Sequence, residues 1–236
     1  MKAGDMVFFK SSMICIVIIL SFIMPVFSQN MATDDTLRDL ELKSSELYDE
    51  GKYLEAEVVA SEALELAENV YTQAIDLNNC LDMLAAIYVA QSKHVEAEHL
   101  YRRIYETLKD YLGESHIETG FAMNKLAFVN RAMGNYSKAE DLLNRLLLIV
   151  EQEAGEDSYD MTVSLQNLAD LYIVQGKYSK AEPLLKRALS IYENKFGENS
   201  IEIVKILEEI MLFYEKSGNE KKVESLRERI GIIRTK

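Results

Sequence analysis

Apolar residues recur along this chain at steps of three and four, the period of a helix that buries one face. Leu165, Leu168, Ala169 and Tyr172 mark one such face, and Tyr178, Ala181, Leu184, Leu185, Ala188 and Ile191 mark a second. Gln175-Gly176-Lys177 interrupts the pattern between them, which predicts two helices joined by a glycine-centred turn. Gly197 closes the second helix, because the residue just past a helix end often takes a positive φ, which glycine accepts at low cost. The restart is also encoded. Ser115, Asp157 and Asn199 hold equivalent positions, and Glu118, Asp160 and Glu202 follow three residues on. The first three are good N-cap residues, and Ser115 with Glu118 reads as a capping box.

The unit recurs. Gly113, Gly155 and Gly197 each precede a glutamate and lie 42 residues apart. Ala97, Ala139 and Ala181 keep the same interval, each followed by a glutamate, with Val223-Glu224 in step. Leu100, Leu142, Leu184 and Leu226 share it, as do Arg103, Arg145, Arg187 and Arg229. An earlier copy, Gly51 to Glu57, is one residue out of phase, and the stretch from Asn69 to Asn78 lacks the Gly-Glu punctuation, so its turn is left unplaced. The prediction is an all-α protein of about five helix-turn-helix units. Each unit has an apolar face that it cannot cover alone, so the units stack into an α-solenoid. Ala85, Ala127 and Ala169, with Ser44 in the first unit, are small enough to let helices approach closely. Met211 and Glu220 break the pattern in the fifth unit, as expected of a terminal unit whose outer face meets water. Its last helix still carries Val223, Leu226, Ile230 and Ile233 on one side.

The segments GKYSKAEPLLKRALSIYENKFGE (176–198) and GNYSKAEDLLNRLLLIVEQEAGE (134–156) resemble the 42-residue tetratricopeptide repeats of the kinesin light chain type. The resemblance covers roughly residues 36–234. It implies a right-handed superhelix whose first helices line a concave groove that binds peptides or protein segments. The chain departs from that family where a His-Pro pair often follows the Gly-Glu turn; here stand Ser115-His116, Asp157-Ser158 and Asn199-Ser200. Only Asn124-Lys125 and Gln166-Asn167 approach the family's Asn-Asn pair, so partner specificity does not carry over.

Residues 1–28 read differently. Lys2 and Lys10 flank a basic start, Met13 to Met24 is apolar apart from Ser21, and Pro25 precedes the small-residue pattern Val26-x-Ser28. This is the layout of a secretory signal peptide cut before Gln29. The apolar run is short for a membrane span, which needs about 20 residues; the rival outcome is an uncleaved N-terminal anchor. The expected organisation is a leader at 1–28, a linker at 29–35 and one repeat domain at 36–236, in an exported protein that is either secreted or periplasmic.

Of the 236 residues, 48% are hydrophobic and 28% charged, enough apolar material for a sizeable core, and two prolines leave long helices unbroken. The formal charge is −13, and without Lys2, Lys10 and Asp5 the remaining 24 basic and 38 acidic residues give −14. Such a surface repels nucleic acid and anionic lipid headgroups. It would attract a basic partner, or serve solubility alone.

No catalytic constellation, metal site or cofactor motif emerges. His94 and His99 are five residues apart, about 140° around a helix, and so do not share a metal-binding face. Without the leader the single cysteine is Cys80, read as a small buried side chain. Glu98, Glu140 and Glu182, with Arg103, Arg145 and Arg187, read as a structural ladder between units. Asn135-Tyr136-Ser137 is a glycosylation sequon at a turn, or a chance triplet.

The expected function is a non-enzymatic scaffold that holds a protein or peptide segment in the groove. The alternative is a structural module, monomeric or weakly self-associating, that stacks through its exposed end. Counting from Ala127 and Ala169, residues three before and one after face the groove: Asp82 and Ala86, Asn124 and Phe128, Gln166 and Asp170, Glu208 and Leu212, then Arg131, Ile173 and Glu215 one turn on. Asp82, Asn124, Gln166 and Glu208 would form a polar ladder able to bond an extended backbone. Phe128 would be its apolar anchor.

Overall fold

The computed structural model describes residues 34–70 and 74–235. The expected leader at 1–28 lies outside the described residues. Among those described there are ten α-helices: α1 (34–49), α2 (Tyr53–Val70), α3 (Asn78–Ala90), α4 (His94–Leu112), α5 (Ile117–Ala132), α6 (Tyr136–Glu153), α7 (Tyr159–Val174), α8 (Tyr178–Phe196), α9 (Val204–Lys216) and α10 (Glu220–Arg234). The chain divides into two compact units between Ser92 and Lys93. None of the described helices is long and apolar enough to cross a membrane.

In the first unit, Ser44 is fully buried and its Oγ donates to the carbonyl of Ala56 at 3.3 Å, so a small side chain brings α1 close to α2. Ala56, Ala60, Ala63 and Ala67 continue the buried stripe of α2. The turn that the sequence left open is a 3-10 segment, Ala74–Leu77, and α3 begins after Leu77 without a side-chain cap. Cys80 is buried, and its thiol donates to Glu41 at 3.4 Å. Burial first, then the Glu41 carboxylate, push that thiol up to about 12, which keeps it protonated and unreactive.

In the second unit α4 to α10 pack in chain order. Ala127 and Ala169 are buried where helices meet, and Gly120 on α5 does a related job. A Cβ built there would stand 3.1 Å from Leu146 Cδ1, so α5 and α6 approach closely at a point where a side chain would force Leu146 to shift by a few tenths of an ångström. Gly134, Gly176 and Gly218 turn each hairpin at positive φ; in the second copy Ser92 occupies the corresponding position at φ 60°. Gly113 and Gly197 combine φ 92° with ψ near 150–160°, a region open essentially to glycine alone.

The helix restarts differ from the expected register. Ser115, Asp157 and Asn199 are not the caps. His116 Nδ1 accepts from the Glu118 amide at 3.2 Å, Ser158 Oγ accepts from the Met161 amide at 3.1 Å, and Ser200 occupies the same extended position. The amides of His116, Ser158 and Ser200 return to the carbonyls of Gly113, Gly155 and Gly197. That four-residue turn consumes the residue that the sequence pattern offered as the cap.

In the last repeat Met211 is half-buried while Ile206, Leu207, Ile210, Phe213 and Tyr214 are buried. Val223, Ile230 and Ile233 of α10 close the unit.

Candidate functional site

Two sets of polar bonds tie repeats together in the second unit, the first at three successive junctions and the second at two of them. In the first, the arginine of one second helix reaches back to the end of the preceding repeat. Arg145 bonds Glu114 and donates to Tyr105 Oη at 2.8 Å. Arg187 lies 3.6 Å from Glu151 and 3.9 Å from Glu156, and Arg229 donates to Glu193 and to the carbonyl of Glu198, each at 2.6 Å. The glutamate of each Gly-Glu turn is thus an anchor for the following repeat.

The second set pairs the recurring glutamate with a tyrosine. Tyr172 is buried on α7 and its hydroxyl donates to Glu140 of α6 at 2.8 Å; Lys180 stands 3.5 Å from the same carboxylate and 4.9 Å over the Tyr172 ring. One repeat later Tyr214 donates to Glu182 at 3.0 Å, Lys222 donates to Glu182 at 2.6 Å, and its ammonium lies 4.4 Å over the Tyr214 ring. The phenol donor and the nearby lysines lower the Glu140 carboxyl below its usual range. Lys222 and Lys186 hold Glu182 down at about 2. Burial, with Glu140 as acceptor, pushes Tyr172 up to about 12, so it remains a donor. The expected ladder between units is present at Glu140, Glu182, Arg145 and Arg187, whereas Glu98 bonds Arg102 of its own helix.

On another face of α5 the structure brings together three residues singled out in the sequence. Asn124, Phe128 and Arg131 line a small cavity of about 50 Å³ with Ala127, Leu143 and Asn167. Phe128 is 46% exposed, and the Arg131 guanidinium covers its ring at 5.3 Å, a cation–π contact. Arg131 also reaches Asp170 of α7 at 3.6 Å. The polar ladder is partly spent within the protein: Asn167 Nδ2 donates to Asn124 Oδ1 at 2.8 Å, and Gln166 bonds Glu209. Asn167 and Glu209, each one residue past a ladder position, were not singled out in the sequence. The signal was their place beside Gln166 and Glu208, from which an amide or carboxylate reaches back to the preceding first helix.

The remaining positions lie apart from that cluster. Glu208 pairs with Arg234 at 2.6 Å, Ile173 is half-buried, and Leu212 and Glu215 are exposed. In the first unit Asp82 and Ala86 line a cleft of about 330 Å³ with Ser45, Tyr48, Asp49, Asn79 and Met83.

Residues 118–194 and residues 79–118 each match family models described as tetratricopeptide repeat. Residues 79–194 thus carry tetratricopeptide repeats, a domain that typically serves as a protein–protein interaction module on a generally non-catalytic all-α scaffold of helices packed in consecutive pairs. Its neighbours in fold include kinesin-light-chain-like proteins. BtubC (BKLC) from P. vanneervenii is 20% identical, with 86% of this chain and 81% of that one covered and a TM-score of 0.71. A putative kinesin light chain from Podosopora anserina with nearly identical TPR-like repeats is 18% identical, with 84% and 94% covered and a TM-score of 0.73. A Rap protein complexed with Competence and Sporulation Factor is 17% identical, with 80% and 51% covered and a TM-score of 0.65. No curated protein sequence matches the chain.

Proposed function

We propose that this protein is a non-enzymatic scaffold that holds a protein segment along the face formed by α5 and α7, with Phe128 as the apolar anchor. The observation that carries the reading is the exposed Phe128 ring, capped by Arg131 beside a small cavity and flanked by the Asn124–Asn167 amide pair. Aromatic side chains often supply a disproportionate share of interface energy, and amides can both donate to and accept from an extended backbone. The overall charge of −13 favours a segment carrying basic residues, which would compete with Arg131 and Arg227 for the exposed Asp170 and Glu215. The Rap protein of similar fold was solved in complex with a bound factor, which agrees with a recognition role for such a scaffold.

The test starts from peptides selected on the full chain from a displayed random library. Asn124→Ala with Phe128→Ala should weaken the selected peptide about tenfold or more, while the helical circular dichroism stays unchanged. Unchanged affinity in the folded double variant would reject this face. A wild-type protein that selects no peptide and instead gains mass with concentration in light scattering would favour the self-association reading.

A further inference from the structure

The tyrosine that joins α6 to α7 and α8 to α9 is absent from the corresponding junction of α4 with α5. Tyr172 and Tyr214 are 42 residues apart, and the residue 42 before Tyr172 is Asn130. The other two members of the cluster are kept: Glu98 corresponds to Glu140 and Glu182, and Lys138 to Lys180 and Lys222. Asn130 does not replace the phenol. Its Nδ2 donates to the Leu126 carbonyl at 2.8 Å, and its Oδ1 accepts from Asn135 at 3.3 Å, so the side chain is committed to its own helix and turn.

An open cleft of about 480 Å³ lies at this junction, within the size range of small-ligand pockets. Glu98, Arg102, Tyr105, Leu126, Asn130 and Lys138 are among the residues that line it. Glu98 is only 7% exposed and bonds Arg102, as Glu182 is bonded by Lys186 one turn along its own helix. Unlike Glu182, it receives no phenol from the next helix. Lys138 has no partner among the described residues, whereas Lys180 and Lys222 lie against both a carboxylate and a ring. Tyr105 adds an aromatic wall where later copies have Leu147 and Leu189. Leu126 and Asn130 are two residues on from Asn124 and Phe128, about 200° around α5, so this cleft opens on a different face from the one assigned above.

We propose that the cleft receives a tyrosine side chain presented by a partner protein, whose ring enters beside Tyr105 under the Lys138 ammonium and whose hydroxyl donates to Glu98. The chain's own later junctions are the template. They show that this Glu–Lys frame holds a phenol, with the hydroxyl on the carboxylate and the cation over the ring. Tyrosine suits such a half-buried site because its ring is apolar and its hydroxyl needs one polar partner. Phosphorylation of the guest would put a dianion against Glu98 and prevent entry.

The test uses the full chain, isotope-labelled, titrated with acetyl-Gly-Tyr-Gly-amide and with the same peptide carrying phenylalanine or phosphotyrosine. The tyrosine peptide should shift the amide resonances of Glu98, Arg102, Asn130 and Lys138, with an affinity about tenfold above that of the phenylalanine peptide. The phosphotyrosine peptide should shift none of them. Asn130→Tyr should fill the cleft from within, abolishing the response and raising the melting temperature; should that variant fail to fold, Glu98→Leu, which removes the acceptor, must bring tyrosine and phenylalanine to equal affinity. Equal binding of the two peptides by the wild type, shifts elsewhere on the protein, or a cleft that takes free 4-methylphenol but not the tyrosine peptide would each overturn the proposal.

Discussion

The α6–α7 junction and the α4–α5 junction share one register and differ most at a single residue, Tyr172 against Asn130. In the first, a buried ring, a carboxylate and a lysine lock two repeats together. In the second, the carboxylate and lysine remain around an open cleft, and Arg145, bonded to Tyr105 and Glu114, still ties the repeats together. The difference teaches that cross-repeat bonding here is redundant. A repeat can give up one of its two polar ties, keep its helices in place, and present the freed groups to something else.

Converting the filled junction into an unfilled one should have the largest effect. Tyr172→Ala is expected to cost about 3–5 kcal/mol in urea unfolding, since it removes a buried ring and the donor to Glu140. Tyr172→Phe keeps the ring and should cost about 2 kcal/mol. If the alanine variant unfolds at the wild-type urea concentration, the ring is not what joins these repeats, and the contrast with Asn130 loses its meaning.

A middle-sized effect comes from placing the same bulk at both junctions. Ala127→Leu and Ala169→Leu should each cost about 1–3 kcal/mol by overpacking, with Ala127 at the low end because it borders the 50 Å³ cavity. Wild-type melting temperatures in both variants would mean that these alanines do not set the helix spacing.

The smallest effect is electrostatic. Glu182 is held near 2 in the fold, below the value of about 4.3 for a free glutamate. Its contribution is therefore fully present above about pH 4.3 and is lost as the pH falls toward 2. The carboxylate is partly solvated, so the loss should be about 1 kcal/mol or less. Glu182→Gln should flatten the stability profile in that window relative to wild type; an unchanged acid slope would show that the Lys222–Tyr214 cluster contributes nothing there.

Much of the fold was legible because its punctuation has few chemical solutions. A backbone at positive φ after a helix selects glycine, so Gly113, Gly155 and Gly197 marked helix ends before any helix was placed. The caps were read one residue early because serine, aspartate and asparagine serve both turns and caps, and sequence alone does not show which hydrogen bond wins. The groove residues were half legible. Spacing placed Asn124, Phe128 and Arg131 on one face, but it could not show that Asn124 and Gln166 would bond neighbouring helices. Tyr172 falls among the apolar positions of its helix, which hides the role of its hydroxyl and of the exception at Asn130, although both stand in the 42-residue register.

Cys80 has a practical consequence. Buried against Glu41 and held protonated at neutral pH, it is silent toward thiol reagents while α3 stays packed on α1. Modification then waits for that packing to open, so the labelling rate under native conditions is a clock for local breathing of the first unit. The protein carries its own opening sensor, readable by mass spectrometry without any added probe site.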